Sequence, residues 1–178
     1  RIRFLSIYSS NLDEFYRVRV PALIALSRIV HSEKQENIYR EVTHTINRQL
    51  QQYGSILNGQ IVPALRERGY HFLYNDPVPV FLHQRLQEHF FTHVAGFLQP
   101  TWLSGETQFF PANNQLYMAA ALEHAGEEEE KLYLINIPCD HLPRFVKLDN
   151  EGQQYIVFLE DIIRLNLNGL FPGASING

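Results

Sequence analysis

A chain of 178 residues with 45% hydrophobic and 12% aromatic content has enough apolar mass for a real core, in one domain or two small ones. A net charge of −4 argues against a broad electrostatic grip on nucleic acid, and the single cysteine, Cys139, excludes an internal disulfide and any cysteine-based zinc cluster. No run approaches the roughly eighteen apolar residues a membrane span needs, and no basic-then-apolar leader opens the chain, so a cytoplasmic protein without a transmembrane segment is expected.

Residues 1 to 70 read as helical. Apolar positions 2, 4, 5, 7 and 8 predict a first helix from Arg1 to a cap at Ser9 or Ser10. The stretch Ser9-Ser10-Asn11-Leu12-Asp13-Glu14 then has the composition of a helix start, because Asn11 with Glu14, or Ser10 with Asp13, fits the reciprocal capping pattern. Unpaired N–H groups and the positive end of a helix dipole would gather there, a place that suits phosphate or the polar edge of a nucleotide; a plain structural cap explains the same residues. Pro21 predicts a kink or restart near Val20, since proline removes the bond to the Arg17 carbonyl. The polar run His31 to Asn37 is expected to be a connection.

Ile38, Val42, Ile46, Leu50, Tyr53, Leu57 and Ile61 recur at three- and four-residue steps, the pattern of a long helix with one buried stripe. Gly54 and Gly59 weaken it, Pro63 is a point of break or restart, and Arg66 to Gly69 resembles a charged last turn with a glycine stop. A domain boundary is placed there, giving a helical domain over 1–70 and a second domain over 71–178.

In the second domain, Phe72 to Tyr74 is a candidate short strand and Asn75-Asp76-Pro77 a turn. Val80 to Phe97 predicts a helix with Phe81, Leu82, Leu86, Phe90, Val94 and Phe97 inward. Leu116 to Leu122 and Lys131 to Ile137 predict a hairpin with an acidic tip. Arg144 to Leu148 and Gln154 to Phe158 predict a second pair around Asp149-Asn150-Glu151-Gly152, with a helix over Leu159 to Leu167 to follow. The run from Phe171 to Gly178 fades into turn-forming residues. The fold class is α+β: an N-terminal helical bundle followed by a mixed α+β domain with antiparallel strands.

No phosphate loop, dinucleotide fingerprint, nucleophile elbow, zinc-protease helix or protein-kinase set occurs. The eight histidines are scattered. His89 and His93 stand four apart on a helix and could share a metal, but no third ligand is evident. Cys139 is expected to be buried and inert. Arg17 and Arg19 are candidate phosphate clamps, yet two positions apart on a helix they point to different sides, so at most one faces any pocket.

The unbroken stretch Arg3 to Val20, with Tyr8-Ser9-Ser10-Asn11-Leu12-Asp13-Glu14-Phe15 at its centre, resembles the opening signature of the bacterial polyphosphate kinases. Ile137-Pro138, Leu142-Pro143-Arg144-Phe145-Val146, Phe158-Leu159-Glu160-Asp161-Ile162-Ile163 and Leu170-Phe171-Pro172-Gly173 resemble that family's second, or head, domain in the same order. The two anchors span nearly the whole chain. The resemblance implies a parent kinase that moves the terminal phosphate of ATP to polyphosphate and back, through a phosphorylated histidine on later domains not represented here. It implies that Asn11 contacts ATP, while Ser9, Ser10, Asp13, Arg17 and Arg19 stay open. It implies Mg in the parent enzyme, not bound by this stretch, and no catalytic role for any of the histidines. The chain opens inside a helix without a Met, so it is expected to be a fragment that is inactive alone. The family's second domain is associated with dimer formation, which makes a non-catalytic assembly module the alternative reading and a homo-oligomer the expected partner state.

Overall fold

The computed structural model describes residues 1–29, 33–73, 76–124 and 129–176. The expected connection at His31, the turn at Asn75 and much of the acidic tip lie outside the described residues. The chain divides into two compact units, Arg1–Arg68 and Gly69–Gly178.

The first unit is a pair of long antiparallel helices. Arg1 donates to Gln60 at 2.8 Å and Tyr8 to Gln49 at 3.3 Å, so the start of one helix lies against the end of the other. The first runs through α1 (Ile2–Glu14), a π-helical turn (Phe15–Arg19) and α2 (Val20–Ile29). The second runs through α3 (Glu33–Ile56), a π-helical turn (Leu57–Ile61) and α4 (Val62–Arg66). The described residues from Glu33 onward are therefore already helical, inside the stretch expected to connect.

Each π turn stands two residues ahead of a proline, Pro21 or Pro63. Its wider ring is closed by Val20 N–H to the Phe15 carbonyl in one helix and Val62 N–H to the Leu57 carbonyl in the other. Proline has no N–H, and its ring collides with the carbonyl four residues back. The wider turn accommodates that residue, so the helices change register where a kink or break was expected.

The expected restart after Asn11 does not occur. Ser9, Ser10 and Asn11 lie inside α1, whose N-terminus is at Ile2, with the Phe4 and Leu5 N–H groups on the Arg1 carbonyl. Leu5, Tyr8, Leu12 and Phe15, all partly buried, make one continuous helical stripe. Packing along that stripe outweighs a capping preference worth about 1 kcal/mol. In α3 and the turn after it the stripe is only partly covered: Ile46 and Ile61 are buried, but Ile38 is 40% and Leu50 39% exposed. Two helices can enclose only a narrow seam.

In the second unit, β1 (Tyr70–Phe72) follows Gly69, whose φ of +79° ends the preceding helix in the left-handed region that glycine tolerates. Then come α5 (Val80–His89), a π-helical turn (Phe90–Val94) and a single 3-10 turn (Ala95–Phe97). The next elements are β2 (Thr101–Trp102), β3 (Leu116–His124), β4 (Lys131–Ile137), β5 (Phe145–Asn150) and β6 (Gln153–Phe158). The described chain closes with α6 (Leu159–Leu165), α7 (Leu167–Leu170) and β7 (Ala174–Ile176).

One sheet has the order β1-β6-β5, with β1 parallel to β6 and β5 antiparallel; the other has the order β2-β4-β3-β7 and is antiparallel throughout. The β5–β6 hairpin turns on Glu151 and Gly152, both at positive φ, the pairing a tight two-residue turn of this hand requires. Leu82, Leu86, Phe90 and Val94 pack with Ala120, Leu122, Ile135 and Ile137 of the second sheet and with Val157, Ile162 and Ile163 in one core.

Three expectations change here. The first strand lies over Tyr70–Phe72, two residues before its expected place, and β2 and β7 were not expected at all. Phe81 and Phe97 do not turn inward, being 52% and 48% exposed, and Leu98 ends the buried row. The row 82, 86, 90, 94, 98 holds a strict four-residue step, which drifts by about 40° per step on an α-helix. The π turn after α5 offsets part of that drift and carries the row past Phe97 to Leu98.

Candidate functional site

Asn11 projects from the middle of α1 and is exposed. It lines a cleft of about 420 Å³ between the two helices of the first unit, together with Tyr8, Leu12 and Phe15 from one side and Ile38, Thr45 and Gln49 from the other. No lysine or arginine lines this cleft, and its walls are largely apolar, with Asn11, Thr45 and Gln49 among the polar groups. It suits the uncharged part of a ligand. The helix-start nest expected for phosphate is absent, because α1 begins at Ile2 and Asn11 stands well inside it. What Asn11 offers is its carboxamide, which no side chain of the described residues engages.

Asn11 also borders a smaller pocket of about 160 Å³, shared with Glu14, Phe15, Val18 and Arg19. The π turn puts Arg19 there. Positions 11, 15 and 19 are two four-residue steps, kept on one face by the extra residue of that turn. Arg17 faces elsewhere and pairs with Asp13 at 2.7 Å, both half exposed. Of the two candidate clamps, one thus borders the Asn11 pocket and the other is an i,i+4 surface pair. Ser9 and Ser10 are exposed and line neither pocket. The proline signal for this register was in the sequence at Pro21, but a π turn cannot be told from a kink by spacing alone.

The carboxylates bordering these pockets are Glu14 and Glu41, and no three His, Cys, Asp or Glu side chains gather among the described residues. By themselves these carboxylates do not make a Mg site, which needs further oxygen ligands such as substrate phosphates.

In the second unit, the head-domain segments meet. Leu159 N–H donates to the Arg144 carbonyl at 2.8 Å, the Arg144 guanidinium pairs with Glu160 at 2.7 Å, and Phe145 stands opposite Phe158 in the β5–β6 ladder. These contacts are structural. His89 and His93 stack at 4.8 Å, and Thr92 Oγ1 lies 2.6 Å from His93 Nδ1. Burial first, and the neighbouring His93 second, hold the His89 ring below its ordinary pKa. Cys139, expected to be buried, is only partly so, and desolvation raises its thiol above the ordinary pKa.

The family profile described as "Polyphosphate kinase N-terminal domain" matches residues 1–73, and that described as "Polyphosphate kinase middle domain" matches residues 82–178. The chain belongs to the polyphosphate kinase family. Among curated relatives, a polyphosphate kinase of Klebsiella pneumoniae is 30% identical over 183 residues, covering 97% of this chain and 26% of that protein. One of Vibrio cholerae is 31% identical over 184 residues with the same coverage, 97% and 26%. A crystal structure of polyphosphate kinase from Porphyromonas gingivalis superposes with a TM-score of 0.85 at 34% identity, over 100% of this chain and 27% of that one. The chain thus spans about a quarter of the length of the polyphosphate kinases it matches. The helical half and the antiparallel α+β half follow the order of the two family domains.

Proposed function

We propose that this chain is the ATP-contacting wall of a cytoplasmic polyphosphate kinase that reversibly transfers the terminal phosphate of ATP to polyphosphate. The wall contributes orientation, while the phosphorylated histidine stands on other domains of the full-length enzyme. One observation carries the reading: Asn11, the residue the family resemblance singles out, lines the large apolar cleft of the first unit and borders a second pocket with Arg19. An uncharged base fits the cleft, the carboxamide meets its polar edge, and Arg19 offers a cation toward the phosphates.

In the full-length enzyme, Asn11→Ala is expected to raise KM for ATP by about three- to tenfold, the worth of one hydrogen bond, with the far-UV circular dichroism unchanged. Unaltered ATP kinetics would reduce Asn11 to a surface helix residue. The 178-residue chain assayed alone is expected to make no polyphosphate.

The second unit favours an assembly role beside this one. Val80 is 79%, Phe110 86% and Phe81 52% exposed, large apolar side chains that a second copy would cover. Sedimentation of the chain is expected to show a dimer that Phe81→Glu dissociates; a monomer at every accessible concentration would remove the role from this stretch.

A further inference from the structure

The second unit contains a built pocket that the ATP reading does not use. The core-facing side of the β2-β4-β3-β7 sheet carries Ala120, Leu122, Ile135 and Ile137, so alternation puts Tyr117 and Asn136, direct cross-strand partners, on its outer side. There a pocket of about 360 Å³ is walled by Phe97, His141, Phe109 and Tyr117, with the carboxamides of Gln99 and Asn136 also lining it.

The walls are held in place. The Phe97 and His141 rings stack at 5.8 Å, and Phe109 meets Tyr117 edge-on at 5.3 Å. Tyr117 is anchored by the Ala112 N–H donating to its hydroxyl at 3.0 Å. The turn bearing His141 closes on the Pro138 carbonyl, and Gln115 donates to Asp140 beside it. The two lining carboxamides, by contrast, have no hydrogen-bond partner among the described residues.

Aromatic faces, unengaged carboxamides and a lining free of Lys, Arg, Asp and Glu define the ligand class. A phosphate has no cation to hold it here. A sugar presents hydroxyls on every side, more than the polar groups of this largely aromatic lining can pair. A purine needs a ring to stack on and one amide for its edge, and Asn or Gln pairs bidentately with the N6 and N7 positions of adenine. We infer that this outer face of the head-domain sheet binds the base of an adenine nucleoside or nucleotide, at a site separate from the Asn11 cleft and without contact to the phosphates.

Titration calorimetry of the 178-residue chain with adenosine, AMP and cytidine tests it. Adenosine and AMP are expected to bind within about threefold of one another, with cytidine at least tenfold weaker. Measured in the Asn11→Ala background, so that the first-unit cleft does not contribute, Asn136→Leu is expected to lower adenosine affinity at least tenfold and Gln99→Ala to lower it measurably, both with unchanged far-UV circular dichroism. Absence of binding at millimolar adenosine in that background, an isotherm unchanged by Asn136→Leu, or equal competition by glucose would overturn the assignment.

Discussion

Asn11 shows how one side chain can keep its position while the reason for it changes. Its local sequence has every mark of a helix cap, yet the residue sits in mid-helix and is presented by its place on the α1 surface. Capping propensity is a contest of about 1 kcal/mol, and the stripe Leu5, Tyr8, Leu12, Phe15 continues through it. The carboxamide stays available because mid-helix asparagine need not bond its own backbone. His89 is a second case, where environment sets chemistry. Burial and then His93 depress its pKa, so the folded chain favours the neutral ring. Stability is then whole above the ordinary value of 6.5 and falls as the pH drops from there toward the folded-state value, because the unfolded chain takes up the proton first. Urea unfolding at pH 7.5 and at pH 5.5 is expected to show a larger acid loss for wild type than for His89→Gln; equal losses would remove His89 from the acid response.

At the scale of elements, most of what was legible came from periodicity and turn chemistry. The β3–β4 hairpin, with Leu116 opposite Ile137, and the β5–β6 hairpin around Glu151-Gly152 lie where alternation and glycine placed them. The misses share a cause. β2 has two residues and β7 three, too short for an alternating pattern to show, and each is defined by the hydrogen bonds a neighbouring strand supplies. The π turns were missed because a proline signals only that regular bonding fails. Pro21→Ala tests that account: with the N–H restored, the regular bond to the Arg17 carbonyl can form and Arg19 rotates by about 100°, one α-helical residue. In the full-length enzyme the variant is expected to raise KM for ATP while helicity is kept or increased; an unchanged KM would show that Arg19 does not need this register.

At the scale of the whole chain, the two units differ in how they are held. The core of the second unit joins both sheets with α5, α6 and α7, and Leu82, Leu86, Phe90 and Val94 are completely buried in it. Leu86→Ala is expected to cost about 2–5 kcal/mol in the unfolding of this unit, by lost transfer energy and the cavity left behind; a cost under 1 kcal/mol in denaturant titration would mean that the site collapses. The first unit encloses only Ile46 and Ile61 among its described residues and leaves Phe4 77% and Ile2 57% exposed, so its two helices leave apolar surface that more polypeptide could cover.

Family membership, the α+β class and the two hairpins were all in the linear order of residues, because signatures, alternation and turn glycines are local properties. Only the folded arrangement decided that Asn11 stands in mid-helix beside a cleft, that Arg19 and not Arg17 shares its pocket, and that aromatic rings from four separate segments close over one sheet face. Those outcomes depend on which surfaces bury against which. That is settled by packing between residues far apart in the chain, and no local spacing encodes it.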